Sequence, residues 1–347
     1  MTADPERNGP YQDRLGPADA VQRLWAGETG AAGRVLGALL MPAELGYSAV
    51  MQARNMAYVS GLAGRHSPPV PAISVGNITV GGTGKTPMVR WLVRELQLRG
   101  RTPGILHGGY AEDEPALHRL WFPDLPVVAE KDRLRGAGRA MEQGADVLVL
   151  DDAFQHRRLR RDLDIVLVAA ETWSRQARLL PRGPYRESPR SLRRADAIIV
   201  TRRVAPPEQA ARTELEVARI SGRQTARALL SPTGWLGSDG QVREGRPEGP
   251  ALGVAGIARP DDFFDQAEAW GVELVDAIAF PDHYVYREAD ARELERLAAG
   301  GPVVMTAKDA VKLAPLMGEA DLWILEQAVT FESGRARLLG AVEEILD

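Results

Sequence analysis

Gly81, Gly82, Thr83, Gly84, Lys85 and Thr86 form a short run whose residue types suit one task, holding a chain of phosphates. Glycines let backbone N–H groups turn inward around phosphate oxygens. The Lys85 ammonium would neutralise the outer phosphates, and the Thr86 hydroxyl is a hard oxygen donor for Mg²⁺. The usual spacing places a first glycine at position 79; this chain has Thr79, so Gly81 and Gly82 supply the flexibility instead. A second signal is the apolar run 147–150 followed by Asp151 and Asp152. A strand ending in acids is how a phosphate-loop protein presents a carboxylate to Mg²⁺. Adjacent strand residues point to opposite sides, so one acid is expected to face the metal and the other a neighbouring group.

Other residues carry weaker signals. Asp113, Glu114 and Pro115 follow an apolar segment at 104–106, where a carboxylate can lie over the phosphates and accept a hydroxyl proton; a solvated turn is the competing reading. Phe280, Pro281, Asp282 and His283 end another apolar segment. There an Asp–His neighbour pair fits either a proton relay or an ordinary capped turn. Arginines cluster at 157, 158, 160 and 161 and again at 182, 186, 190, 193 and 194, positioned to grip phosphate or simply to solvate a face. His66, His107, His118, His156 and His283 show no metal-ligand spacing.

The phosphate run needs a buried strand before it and a helix after it. Apolar 70–75 supplies the strand, and Val89, Leu92, Val93 and Leu96 recur at helical spacing, with Pro87 in the first turn where a missing N–H costs nothing. Further strands are expected at 104–106, 127–129, 147–150, 165–168 and 197–200, with helices between. That alternation is the mark of a parallel sheet covered on both faces. A Pro-containing segment at 204–208 marks a boundary. A second alternating unit follows, with strands at 252–257, 274–280, 303–306 and 322–325 and a helical end at 334–346. The expected fold is α/β: a P-loop NTPase-like parallel sheet with helices on both faces, plus a second smaller α/β domain. The expected organisation is a polar leader over 1–29, a membrane-associating helical region over 30–66, the P-loop domain over 67–205, and the second domain with a C-terminal helix over 206–347.

The chain has 347 residues, 44% hydrophobic, with a net charge of −4 and no cysteine. Length allows about two domains. The charge gives no reason to expect nucleic acid, and disulfides and Cys-ligated metal centres are excluded. Residues 1–14 are polar and of mixed charge, without the look of a secretory signal. From 34 to 62 apolar residues dominate, punctuated by Arg34 and Arg54, with Arg65 just beyond. Pro42 and Glu44 leave the run short of the ~20 apolar residues of a span, so it reads either as an interfacial element or as a helical hairpin packed on the core.

Taken together, these motifs resemble the tetraacyldisaccharide 4'-kinase (lipid A 4'-kinase) family. The likeness rests on Val75 to Pro87, Asp113 to Pro115, Asp151 to His156, Leu180 to Glu187, Phe280 to His283 and Thr306 to Leu313. The resemblance implies transfer of the ATP γ-phosphate to the 4'-hydroxyl of an acylated disaccharide phosphate lipid. It implies ATP and Mg²⁺ as cofactors and a monomer held at the cytoplasmic face of the bacterial inner membrane. It assigns Asp113 with His283 as catalytic base, Asp151 and Asp152 to Mg²⁺, and Arg186 and Glu187 to the site, with Tyr110 and Glu114 beside the substrate. An ATPase that drives a conformational or partner-binding cycle is the alternative use of the same loop, and a nucleotide-binding membrane protein without turnover is a third. The chain departs from the family where Ser-Arg-Gly-Tyr becomes His107, Gly108, Gly109 and Tyr110, and only Ala111 and Glu112 then precede Asp113.

Overall fold

The computed structural model describes residues 29–110, 112–174 and 176–347, with residues 21, 23–25 and 27. The expected leader over 1–29 therefore lies almost wholly outside the described residues, as does Ala111. The chain divides into two compact units. One contains residues 27–230 and 328–347; the other contains 231–327 with the described residues before 27.

The larger unit opens with helices α1 (Gly30–Leu39) and α2 (Met41–Val59). Strands β1 (Ala72–Asn77), β2 (Pro103–His107), β3 (Val127–Ala129), β4 (Val147–Asp151), β5 (Leu163–Ala169), β6 (Ala197–Arg202) and the first half of β7 (Gln224–Leu236) follow. They lie in the order β7-β6-β5-β1-β4-β2-β3. Neighbours pair parallel throughout, β1 between β4 and β5. Period-two alternation puts Ile73, Val75, Val147, Val149, Ile165 and Leu167 into one core. There they meet Met88, Leu92 and Leu96 of α3 (Lys85–Gln97). Leu106, Leu148 and Leu150 point the other way, onto Ala137 and Ala140 of α5 (Arg133–Glu142); α4 (Asp113–Trp121) precedes β3. Val166, Val168 and Ile198 join Phe154 and Val217, the latter on α6 (Pro207–Ser221). Both faces are covered, as parallel strands require.

The smaller unit adds β8 (Val242–Arg243), β9 (Pro250–Ala255), β10 (Glu273–Ala279), β11 (Val303–Thr306) and the first part of β12 (Leu322–Ser333), with α7 (Pro260–Ala269), α8 (Glu288–Ala298) and α9 (Ala307–Leu313). β10-β9-β11-β12 is a parallel series, and β8 folds back antiparallel on the end of β7. The Thr306 to Leu313 motif opens α9. Its Asp309, fully buried, accepts hydrogen bonds from Gly256 N (3.0 Å), the Tyr286 hydroxyl (2.8 Å) and the Thr306 hydroxyl (2.6 Å). That motif therefore closes the architecture of this unit.

The α/β reading with helices on both faces of a parallel sheet holds, and most elements fall within two residues of their expected positions. Three expectations differ. The division runs at 230/231, not 205/206, because β7 extends the parallel series on β6 and α6 packs beneath it. The C-terminal helix α10 (Arg335–Leu346) belongs to the larger unit, where Leu338 and Val342 enter the core of α3. Residues 113–115 start α4 instead of forming a loop. Acids suit a helix N-terminus and proline its first turn.

No helix among the described residues is long and apolar enough to cross a membrane. Yet α2 buries no residue, and Leu39, Leu45, Val50, Met56, Val59 and Leu62 are 65–86% exposed.

At the end of β1, Gly76 permits a close approach. A Cβ there would stand 2.6 Å from Phe154 Cβ and 2.9 Å from Phe154 N. Gly76→Ala is expected to destabilise the protein by about 1–3 kcal/mol, the scale of overpacking. Denaturant unfolding checks this; an unshifted midpoint would show that Gly76 and Phe154 are not in contact.

Candidate active site

The phosphate-type loop leaves β1 at Asn77 and enters α3 at Lys85. Gly81 (φ 106°) and Gly84 (φ 88°) take the left-handed conformations that the turn needs, with Gly84 capping the helix. Asn77 Nδ2 donates to Thr83 Oγ1 (3.0 Å), the Thr201 hydroxyl to Thr83 O (2.9 Å) and Arg203 Nη1 to Gly82 O (2.7 Å). The loop is thus held from three sides by its neighbours. Thr86, in the first turn of α3, is buried.

At the end of β4 the two acids have different partners. Asp152, in the left-handed region at φ 51°, lies 3.7 Å from Lys85 Nζ. Arg186 Nη1 reaches both of its oxygens, at 3.1 and 2.9 Å. Burial pushes the Asp152 carboxyl up, but Lys85, Arg186 and Arg133 outweigh it and hold the carboxyl below its usual range. Asp151 is buried, 3.8 Å from His107 Nδ1; His107 Nε2 in turn shares a 2.9 Å hydrogen bond with His118 Nδ1. His107, His118 and Asp151 place one ligand atom each within 4.8 Å of one another. The histidines show no metal-ligand spacing along the sequence. Three separate elements, β2, α4 and β4, bring this trio together, so no local spacing encodes it. Burial, with His118, Arg133 and Arg119 adding to it, pushes His107 well below the ordinary imidazole range.

For Mg²⁺ the donor chemistry is the test. The Thr86 hydroxyl and the Asp151 and Asp152 carboxylates are all hard oxygen donors, the type this cation selects, and Asp152 keeps its charge. The residues fit the ion.

Arg133 was not singled out from sequence. Nη2 donates to Asp151 O (2.7 Å), while Nη1 is buried without a hydrogen-bond partner. A Cβ on Gly108 would lie 3.5 Å from Nη2. The available signal was its position. A guanidinium in the first turn of α5 opposes the helix dipole, and such a placement needs a local reason.

Asp113 is buried at the first position of α4, its Oδ1 accepting from Glu114 N (3.0 Å); Glu114 is half-buried and Tyr110 is exposed. Glu187 is buried, both oxygens gripped by Arg194 at 2.9 and 3.0 Å. In the smaller unit His283 has φ 60°, with Asp282 Oδ1 3.9 Å from its Nε2. Among the described residues only Asp152, His283 and Ala299 are non-glycines at positive φ, and Ala299 merely ends α8. Strain of this kind gathers at functional positions.

His156, just past this strand end, is held down to about 4 by burial first, then by Arg133, Arg161 and Arg54, with Asp132 opposing. The unfolded imidazole binds its proton near 6.5, the folded one only near 4. His156 therefore contributes stability that is complete above about 6.5 and is lost as pH falls toward 4. Unfolding midpoints at pH 7 and pH 5 should differ less in His156→Gln than in the parent chain; an equal difference would remove His156 from the effect.

Residues 36–345 match the family described as Tetraacyldisaccharide-1-P 4'-kinase. The chain is 38% identical over 315 residues to the tetraacyldisaccharide 4'-kinase of Geobacter sulfurreducens, covering 83% of this chain and 87% of that protein. It is 35% identical over 304 residues to that of Chlorobaculum tepidum, covering 80% and 86%. Among solved structures, LpxK from Aquifex aeolicus in complex with ATP superposes with a TM-score of 0.71 at 28% identity, covering 90% of this chain and all of that one. The chain belongs to the tetraacyldisaccharide-1-P 4'-kinase family.

Proposed function

We propose that this chain is an ATP-dependent lipid kinase, a tetraacyldisaccharide 4'-kinase that transfers the γ-phosphate of ATP to the 4'-hydroxyl of a tetraacyldisaccharide 1-phosphate in lipid A biosynthesis. The observation that carries the reading is the cluster of Lys85, Asp152 and Arg186 beside the glycine loop, in a chain of this family. Phosphoryl transfer needs little covalent help from the protein; positioning and charge stabilisation do most of the work. Loop amides, the start of α3 and Lys85 would receive the phosphates. Thr86, Asp151 and Asp152 would hold Mg²⁺, which supplies charge neutralisation on phosphate oxygens when bound. Asp113 would draw the proton from the sugar hydroxyl, with His283 serving the same step. Tyr110, Glu114, Arg186 and Glu187 are assigned to substrate contacts. ATP hydrolysis for a conformational cycle finds no support in the relatives, which carry a kinase name.

Transfer of labelled γ-phosphate from ATP to the lipid acceptor tests the assignment. Lys85→Ala should abolish most transfer. Asp113→Asn should lower turnover by ~10²–10⁴-fold, the scale of general-base catalysis, while ATP binding survives. His283→Ala should act in the same direction. Undiminished transfer in Lys85→Ala, or ATP consumption that ignores the acceptor, would count against the kinase.

The same reading places the enzyme at the cytoplasmic face of the inner membrane. Its support is the exposed apolar face of α1 and α2 together with Arg34 and Arg65. The full chain should sediment with anionic vesicles, and replacing Leu45, Val50 and Met56 together by serine should release it. Equal sedimentation of the triple variant would remove this face from membrane binding.

A further inference from the structure

We propose that α2 is a positioning element of the active site: Tyr47 and Asn55 clamp Arg186 and Glu187 and so set the Arg186 guanidinium against Asp152 and Lys85. The proposal rests on the reading that Arg186 belongs to the phosphoryl-transfer site.

The two faces of α2 differ. Leu45, Val50, Met56 and Val59 are exposed, whereas Glu44, Tyr47, Arg54 and Asn55 turn to the body of the same unit. Glu44 accepts from Leu179 N (2.7 Å) and from Arg182 Nη1 (3.1 Å). The Tyr47 hydroxyl donates to Arg186 O (3.0 Å). Arg54 donates to Gln155 O, and Gln155 Nε2 donates to Asn77 O at the root of the glycine loop (2.8 Å). Asn55 Nδ2 donates to Glu187 Oε2 (3.0 Å), while Arg157 Nη1 donates to Asn55 O (3.1 Å) and Oδ1 (3.2 Å).

Residues 186 and 187 are therefore held from two sides. Their N–H groups donate to Ile78 O, at 2.8 and 3.4 Å, on the loop side. Tyr47 and Asn55 hold the Arg186 carbonyl and the Glu187 carboxylate on the helix side. Arg194 already pairs both Glu187 oxygens, so the Asn55 bond is not needed to neutralise a buried charge. What it adds is orientation. The guanidinium beyond is the one that grips Asp152, which itself stands beside Lys85. A helix whose outer face is apolar thus has its inner face fastened to the cation that sets the charge balance of the loop.

The test measures steady-state transfer from ATP to tetraacyldisaccharide 1-phosphate in detergent micelles, with the full chain. Tyr47→Phe and Asn55→Ala should lower kcat roughly 10- to 100-fold, the scale on which a displacement of about 1 Å is felt. KM for ATP, the melting temperature and vesicle sedimentation should stay near those of the parent. In an Arg186→Lys background both changes should lose most of their effect, because residues acting through one group are not additive. Parental kcat in both variants overturns the proposal. So does a loss that persists undiminished in the Arg186→Lys background, or one that follows vesicle release. Parental activity in Arg186→Ala overturns the assignment of Arg186 to the site and this proposal with it. Loss in Arg186→Ala beside active Tyr47→Phe and Asn55→Ala overturns the positioning role alone.

Discussion

Charge at Asp152 is the constraint that the larger unit is built to satisfy. A carboxylate set at a strand end in a left-handed backbone, half out of water, is tolerable only with cations around it. Lys85 arrives from the first residue of α3, Arg186 from the segment clamped on Ile78, and Arg133 adds its field from the start of α5. Each cation depends on a different element, so the cluster forms only when strand order, loop and helices are all in place. β1 lying between β4 and β5 is what brings the loop and the strand-end acids side by side.

The same cluster explains why the two acids are not equivalent. Asp152 meets Lys85 and Arg186, which hold its carboxyl below the usual range. Asp151 is enclosed by imidazoles and by the Arg133 bond to its carbonyl. His107 and His118 share one hydrogen bond, and burial keeps His107 from taking a proton. In this chain, then, Asp151 sits among imidazoles, while Asp152 sits among cations.

Much of the fold was legible because parallel strands buried on both faces read as short apolar runs, and the helices between them carry a clear stripe. Lys85 and the Asp151–Asp152 pair were legible for a different reason: their chemistry is tied to local spacing. What escaped was whatever depends on long-range assembly. Asp151 lies far along the chain from His107 and His118 and meets them through the parallel register of β2 beside β4 and the packing of α4. Arg133, at the start of an expected helix, gave no sign in the sequence that its guanidinium would be buried. β12 runs to Ser333, well past the expected end at 325, because its later residues alternate between half-buried and exposed and lack the solid apolar run that marks its start. The unit boundary was missed because prolines at 206 and 207 start a helix there and do not open a linker.

The helix α2 has a consequence for where the protein opens first. It is 19 residues long and none of its residues is fully buried. Most helical stability in a protein comes from packing an apolar face, and here that face is exposed, so the helix leans on its polar ties and half-buried contacts with the body of the unit. Its amides should therefore exchange with solvent deuterium far sooner than those of α3, whose apolar face lies in the core. A bilayer taking up the outer face would supply the burial the protein itself withholds. Local order in this helix would then become a property shared between the enzyme and the surface on which its substrate resides.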